Sequence, residues 1–497
     1  MVRFTFCILP FPFSIEVKYI QIISFHVKPQ SFSHCFIHAL YFFYCFVCLV
    51  LQRTLITLFK YPPVFDIIKK GGDTMMINTA YDPRLLEQWA VDLNSTQEIE
   101  QCLEPYLHQY DCAFTSQKQS KHFANFVRGL LSPLDRKSIE PIALHLAGEK
   151  SVRPMQQFFT RAPLKEDDIL DTYQQLLAAQ LNHTGSMLSV DDTSFVKKGT
   201  HSIGVKRQYC GRPGKRENCQ VGVFLSYAGD SGYGLVDYEL YIPQEWFQDS
   251  HQDLRTRCQL PEQRRFLTKN QIAQNLLNHA FETGRFQAQW IGCDAAYGCD
   301  HAFLDGLKLP GEVWYFAATN AKEQVFLEQP QICNPEPGKN RGRPKKHPIW
   351  TIQPVSVKSI AEDPAAPWEQ VTLAEGSKGP ILAQRFMLRV VACRKDGNRN
   401  YLKPGKEVWL YIRKYEDGTI KYFVSNAPQD IPCAELDRAA TLRWPIEQCF
   451  EEYKSYLGMT HYEGCSYPGW KRHILFVMIA HLFTTQIREN VKKRGSL

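Results

Sequence analysis

Acidic residues stand at three separated places where they could gather around divalent cations. Asp191-Asp192-Thr193 closes a short apolar run, Met187–Asp191, that reads as a buried strand. Asp294 closes a second run, Phe286–Cys293, and opens into Ala295-Ala296-Tyr297-Gly298. A carboxylate at the carboxyl end of a strand faces the surface where α/β sheets bind ligands. Taken singly, either strand end also reads as a turn former or helix cap. The third place is Arg443-Trp444-Pro445-Ile446-Glu447, which opens a helix with Pro445 in its first turn. Arg443, Glu447, Glu451 and Lys454 fall on one face of that helix, and Ile446, Phe450, Tyr453 and Leu457 mark an apolar face beside it. Surface ion pairing is the alternative for such a row of charges.

Brought together, these groups suit phosphodiester chemistry. Two Mg²⁺ ions about 4 Å apart lower the pKa of an attacking hydroxyl and neutralise the leaving oxygen. Mg²⁺ takes hard oxygen ligands and keeps several waters, so a few carboxylates suffice. Zinc is not indicated, because the sixteen cysteines form no paired ligand pattern and Cys45-x-x-Cys48 stands alone. They read as reduced thiols of a cytosolic protein.

The elements that must position the carboxylates follow from periodicity. Residues 76–180 read as a helical domain, with Leu85, Leu86, Trp89, Ala90 and Leu93 at helical spacing, and again Phe123, Phe126, Val127 and Leu130. Residues 185–320 change to strands: Met187–Asp191, Cys219–Tyr227 and Leu235–Ile242. A helix capped by Thr268 then runs through Phe281, followed by strands at Phe286–Cys293 and Val313–Ala318. Three strands, a helix, a strand, a helix and a strand is the order of an RNase H-like α/β core. Residues 321–435 interrupt it with Pro/Gly punctuation around short strands (Phe386–Val391, Val408–Arg413, Tyr422–Val424), a β-rich insertion before the last helices at 436–490.

Three blocks resemble the bacterial insertion-sequence DDE transposases, the cut-and-paste group with an RNase H-like core and a β insertion. They are Val190-Asp191-Asp192-Thr193-Ser194-Phe195-Val196-Lys197-Lys198-Gly199 with Gly204–Gly211, then Gly292–Gly298, then Arg443–Glu447 through Phe450, Lys454 and Gly469-Trp470-Lys471-Arg472-His473. A weaker block spans Arg128–Leu131 and Arg136–Ala143. The resemblance covers residues from about 76 to 490. It implies Asp192, Asp294 and Glu447 as the catalytic, metal-binding carboxylates, Asp192 being preferred because it immediately precedes Thr193, with Asp191 as the alternative first carboxylate. It also implies that Arg443 and Lys454 grip phosphates near the scissile bond. The Tyr of the family's Tyr-Arg-Glu-Lys signature is replaced here by Ala440. The implied activity is Mg²⁺-dependent cleavage at an element's ends and strand transfer into target DNA, with Mn²⁺ able to substitute. The implied partners are double-stranded DNA, at terminal inverted repeats and target, and a second copy of the chain. A catalytically decayed or domesticated DNA-binding derivative is the alternative, and a nuclease that cannot rejoin strands is a further one.

Two basic segments suit DNA. Lys197, Lys198, Lys206, Arg207, Arg212, Lys215 and Arg216 follow the first carboxylates, interleaved with Tyr209. Arg341-Gly342-Arg343-Pro344-Lys345 resembles a minor-groove AT-hook, a solvated linker being the other reading. Such local patches must carry any footprint. Residues 1–74 hold seven Lys/Arg against three acids, so the rest of the chain carries 51 basic and 48 acidic residues, a net of only +3.

That first stretch differs from the rest, with twelve of the 31 Phe residues. Its most apolar run, Cys35–Leu51, is short for a membrane span of about 20 residues, and no signal-peptide cleavage site follows it. Lys69-Lys70-Gly71-Gly72-Asp73 can be encoded by a purine-rich ribosome-binding site just ahead of Met75-Met76. The expectation is that residues 1–74 are upstream sequence translated in frame, and that the working chain is a bacterial cytoplasmic, nucleoid-associated protein with no membrane segment.

Overall fold

The computed structural model describes residues 93–211, 214–333, 349–376, 379–396 and 398–495. Residues 1–74, the periodic positions Leu85 to Ala90 and the Arg341–Lys345 motif lie outside them.

Among the described residues five helices come first: α1 (Leu93–His108), α2 (Gln117–Leu131), α3 (Ile139–Ala147), α4 (Val152–Thr160) and α5 (Glu166–Leu181). The helical spacing of Phe123, Phe126, Val127 and Leu130 is a buried stripe of α2, and all four are fully enclosed. Strands follow: β1 (Ser186–Val196), β2 (Lys206–Cys210), β3 (Lys215–Gly229) and β4 (Gly232–Tyr241). Then come α6 (Gln252–Arg257), α7 (Lys269–Thr283), β5 (Ala288–Cys293), the single turns α8 (Ala295–Gly298) and α9 (His301–Asp305), and β6 (Trp314–Thr319). Thr268 caps α7 as expected, in a reciprocal capping box with Gln271, and Gly284 closes it at φ 62°.

β1 lies at the centre of this arrangement. It pairs antiparallel with β3 and parallel with β5, which is parallel to β6; β4 flanks β3 on its far side. The local order β4-β3-β1-β5-β6 leaves β3 covered on both faces, which is why Val221–Leu225 is an apolar run rather than an alternation.

Residues 321–435 continue the same sheet. Their strands are β7 (Gln324–Phe326), β8 (Ile332–Cys333), β9 (Ile349–Trp350), β10 (Val355–Ser356), β11 (Glu369–Gly376), β12 (Gly379–Asp396), β13 (Asn398–Tyr415) and β14 (Ile420–Ser425), with α10 (Val357–Ala361) between β10 and β11. β14 pairs with β6, and β13, β12 and β7 extend the sheet outward; β8 and β9 form a separate ribbon. β12 and β13 are 18 residues each, far longer than the short strands read from the sequence. Pro404 and Gly405 are punctuation in the sequence, but Pro404 sits opposite Cys393 beside a register shift, where a missing donor is tolerated.

The chain ends in α11 (Cys433–Leu442), α12 (Pro445–Ser455) and α13 (Tyr467–Gly495). α12 packs on β1, β3 and β4, and α7 covers β3 and β4 from the other side. Ile474 to Leu482 of α13 is buried almost without a break, because α13 has β4 on one side and α2, α4 and α5 on the other. Phe476 meets Phe123, Phe126, Phe158 and Phe159 there. Among the described residues no helix is long and apolar enough to cross a membrane.

Candidate active site

Strand alternation decides which acids share a face. Asp191 is paired with Phe224, whose ring contacts Phe450 of α12, with centroids 5.3 Å apart. Thr193 and Phe195 follow on the same side: Thr193 accepts a hydrogen bond from Lys454, and Phe195 meets Trp470. Asp191 therefore looks toward α12. Asp192, one residue on, points to the opposite face, where its carboxylate pairs with Lys269 at 2.9 Å. Lys269 is the first residue of α7 and also lies over the Tyr241 ring.

Asp294 reaches the site from β5. Val190 pairs with Cys293, so Asp191 lies level with Asp294 where the parallel pairing and β5 end; β1 itself, read from the sequence as closing at Asp191, runs on to Val196 because it stays paired with β3. Asp294 is the N-cap of α8, and its Oδ1 accepts from the backbone N–H of Ala296 (2.9 Å) and Tyr297 (3.3 Å). The cap reading and the site reading of this residue are thus compatible. Two positions earlier, Gly292 provides clearance. A Cβ there would come within 2.6 Å of Met187 Sδ and Ser189 Oγ and 3.3 Å of Arg443 Cγ. The Arg443 side chain consequently passes close over β5 at Gly292, on the face that Asp191 shares.

Arg443 and Glu447 complete the group, joined at 2.9 Å across one helical turn. The Arg443 guanidinium is enclosed, and the acids Glu447, Asp191 and Asp294 hold its pKa above the usual value despite burial. The carboxylates feel each other. Burial pushes Asp191 well above the ordinary range, the charges of Asp294, Glu447 and Asp192 push it further, and Arg443 opposes them. Burial raises Asp294 too, against the pull of its Tyr297 N–H bond, and the charge of Asp192 adds to the rise while Arg443 opposes it. Beside them the buried Tyr297 hydroxyl has no hydrogen-bond partner among the described residues. One arginine among several acids leaves an excess of negative charge in a partly dry site, and that donor set suits a hard divalent cation. As they stand, with Glu447 turned to Arg443 and Asp192 to Lys269, no three His, Cys, Asp or Glu side chains among the described residues converge at metal-binding distance.

Other residues singled out from the sequence are dispersed. Lys197 is spent on the Tyr462 carbonyl and ring, and burial pushes it down to about 8. Lys206 pairs with Glu245 and Lys215 with Glu217, whereas Lys198 and Arg207 are exposed. In the helical region Lys137 is buried, donating to the Leu130 and Ser132 carbonyls at 2.6 Å each. Arg472, in a block that resembles the transposases, binds the carbonyls of Phe158, Phe159 and Ala162 and pairs with Glu166, tying α13 to the helices before it. Lys269 carried no signal in the sequence beyond following an N-cap.

The family model described as DDE superfamily endonuclease matches residues 109–380, more than half of the 497-residue chain, and the chain belongs to that family. The match contains Asp191, Asp192 and Asp294 and ends before Glu447. A relative is the probable transposase for insertion sequence element IS701 of Microchaete diplosiphon, 26% identical over 198 residues, which are 39% of this chain and 48% of the relative. The chain therefore spans about half the length of the curated relative it matches.

Proposed function

We propose that the protein is an insertion-sequence transposase that cuts DNA at its element's ends and joins the freed 3′-hydroxyl to target DNA. The observation that carries this reading is the common face on which Asp191, Asp294, Arg443 and Glu447 meet, in a chain of the DDE endonuclease family. The strand order β4-β3-β1-β5-β6 supports an RNase H-like core, preceded by a helical domain and interrupted at 321–435 by a β-rich insertion.

Register favours Asp191 as the first carboxylate, in place of the Asp192 that its position before Thr193 suggested. Asp191, Asp294 and Glu447 would hold Mg²⁺, which when bound supplies Lewis-acid activation of the attacking hydroxyl and charge neutralisation at the leaving oxygen. The chain's own groups do the rest. Asp294 is fixed by the α8 N-terminus, Arg443 orients Glu447 until a cation competes for it, and Lys454 stands over Thr193 within reach of a phosphate beside the carboxylates. Two ends must be brought together, so a dimer in the DNA complex is part of the proposal, as is action on DNA in the bacterial cytoplasm. All four candidate acids are retained, which gives the decayed-derivative alternative no support in the site.

The test is cleavage and strand transfer on duplex DNA carrying the inverted repeats that flank the gene, with Mg²⁺ or with EDTA. Chelation should abolish both steps. Losing one metal-binding carboxylate should remove several kcal/mol of transition-state stabilisation, at least about a hundredfold in rate. Asp191→Asn, Asp294→Asn and Glu447→Gln should each do so. Cutting at wild-type rate by any of the three overturns that residue's assignment, and cutting in EDTA overturns the metal.

A further inference from the structure

We infer that the open face of the β2–β3 ribbon seats in the major groove of the element's end DNA, about seven base pairs from the phosphate cut at the carboxylates. This rests on the transposase reading and adds a second, spaced contact to it.

The ribbon has two unlike faces. β2 and β3 pair in the rows Lys206↔Cys219, Arg207↔Asn218, Gln208↔Glu217, Tyr209↔Arg216 and Cys210↔Lys215, without a register shift. Cys210 and Cys219, on one face, are buried with Val221. The other face carries Arg207, Tyr209 and Arg216, all exposed, and Tyr209 is 65% exposed. An aromatic ring left open to water between two arginines has no folding rationale here. Arg216 donates to the Arg207 carbonyl at 3.3 Å, which pins it across the ribbon, and among the described residues neither arginine has an acid within ion-pair distance. Asn218 anchors the base of this face by donating to the carbonyls of Lys197 and Gly199.

The strand that carries this face leads to the site, and the stretch between is buried. Along β3, Arg216, Asn218, Gln220, Gly222 and Phe224 point to one side, and Phe224 is the residue opposite Asp191 on the α12 side. Trp470 and Tyr462 cover the stretch between, over Phe195 and Lys197. Eight residues separate the Tyr209↔Arg216 row from the Phe224↔Asp191 row, at most about 26 Å of strand at 3.3 Å per residue. At 3.4 Å per base pair that is about seven to eight base pairs of duplex. A major groove admits a two-stranded ribbon; two arginines then meet phosphates at its rim while Tyr209 faces the base edges.

The full-length protein, bound in EDTA to a labelled duplex carrying the terminal inverted repeat, provides the measurement. Methylation of major-groove guanine N7 should interfere with wild-type binding about seven base pairs from the cleaved phosphate, and Tyr209→Ala should erase that interference. Arg207→Gln with Arg216→Gln should weaken binding at least tenfold and reduce the slope of log affinity against log salt by about two, at roughly 0.9 per phosphate contact. These side chains are exposed, so an unchanged melting temperature verifies folding. Cleavage at the end by wild type, with interference and salt slope indifferent to all three substitutions, overturns the inference alone. Failure of wild type to bind or cut the end overturns the transposase reading, and the inference with it.

Discussion

The two faces of the sheet around β1 handle charge in opposite ways. On the α7 side, Asp192 has Lys269 as an ion-pair partner, and the buried Asp237 has His279, whose ring is half exposed. On the α12 side, Asp191, Asp294 and Glu447 share the single Arg443, and burial drives Asp191 upward. Compensated charge needs nothing further, whereas crowded, desolvated carboxylates gain from a cation. The difference between neighbours 191 and 192 is thus one of face, produced by a two-residue period that composition does not reveal.

The largest effect that could break this comparison is the pair Asp191→Asn and Asp192→Asn. If the α12 face is where metal binds, Asp191→Asn loses at least about a hundredfold in end cleavage and Asp192→Asn stays within about tenfold of wild type. Calcium or Mn²⁺ binding followed by calorimetry separates ligand loss from misfolding. Equal losses in both variants would mean that the two faces act as one site.

Much of this is legible in the sequence. Thr268 as a cap, Asp294 at a strand end and the Ile446–Phe450–Tyr453–Leu457 stripe follow from local rules, and each is found as expected. Side-chain direction at Asp191-Asp192 depends on pairing with β3, some thirty residues on; adjacency to Thr193 suggests Asp192, whereas register turns Asp191 toward α12 and Asp192 toward Lys269, which is the ground for proposing Asp191. β2 escaped notice because Lys-Arg-Gln-Tyr-Cys has the composition of a polar loop, and it is a strand only through its pairing with β3. The long β12–β13 hairpin was hidden by a Pro and a Gly that a bulge accommodates.

Next in size is the tether of α12. Glu452 lies largely enclosed between the Tyr233 hydroxyl (2.6 Å) and His481 Nε2 (2.7 Å), joining α12 to β4 and α13. Burial opposes its charge, but the His481 hydrogen bond and charge, Arg488 and Tyr233 outweigh that and hold the carboxyl below its usual 4.5. A depressed acid stabilises the fold above pH 4.5, and that contribution is lost as pH falls through the lower folded value. Glu452→Gln should cost about 3–5 kcal/mol, the range for breaking a buried pair, and the gap to wild type in thermal melts should narrow below pH 4. A smaller loss, about 1–3 kcal/mol from overpacking, is expected of Gly292→Ala. Because its new methyl meets Arg443, this variant should also slow end cleavage, which an ordinary core substitution of equal cost would not.

The α7 face should yield the smallest effect and the opposite pH sign. His279 Nδ1 lies 3.0 Å from Asp237 with its ring half exposed, and the hydrogen bond to Asp237 raises its pKa above 6.5. A histidine raised on folding stabilises fully below pH 6.5 and loses that contribution as pH rises through the folded value. Asp237 is buried, but the half-exposed ring leaves the pair screened by solvent on its histidine side, which holds the charge contribution to about 1 kcal/mol. His279→Ala should therefore lower the melting temperature slightly at pH 6 and by less at pH 9, where only the neutral ring's hydrogen bond to Asp237 is lost, with end cleavage intact. A deficit as large at pH 9 as at pH 6 would mean that the ring holds α7 by packing and its neutral hydrogen bond rather than by charge.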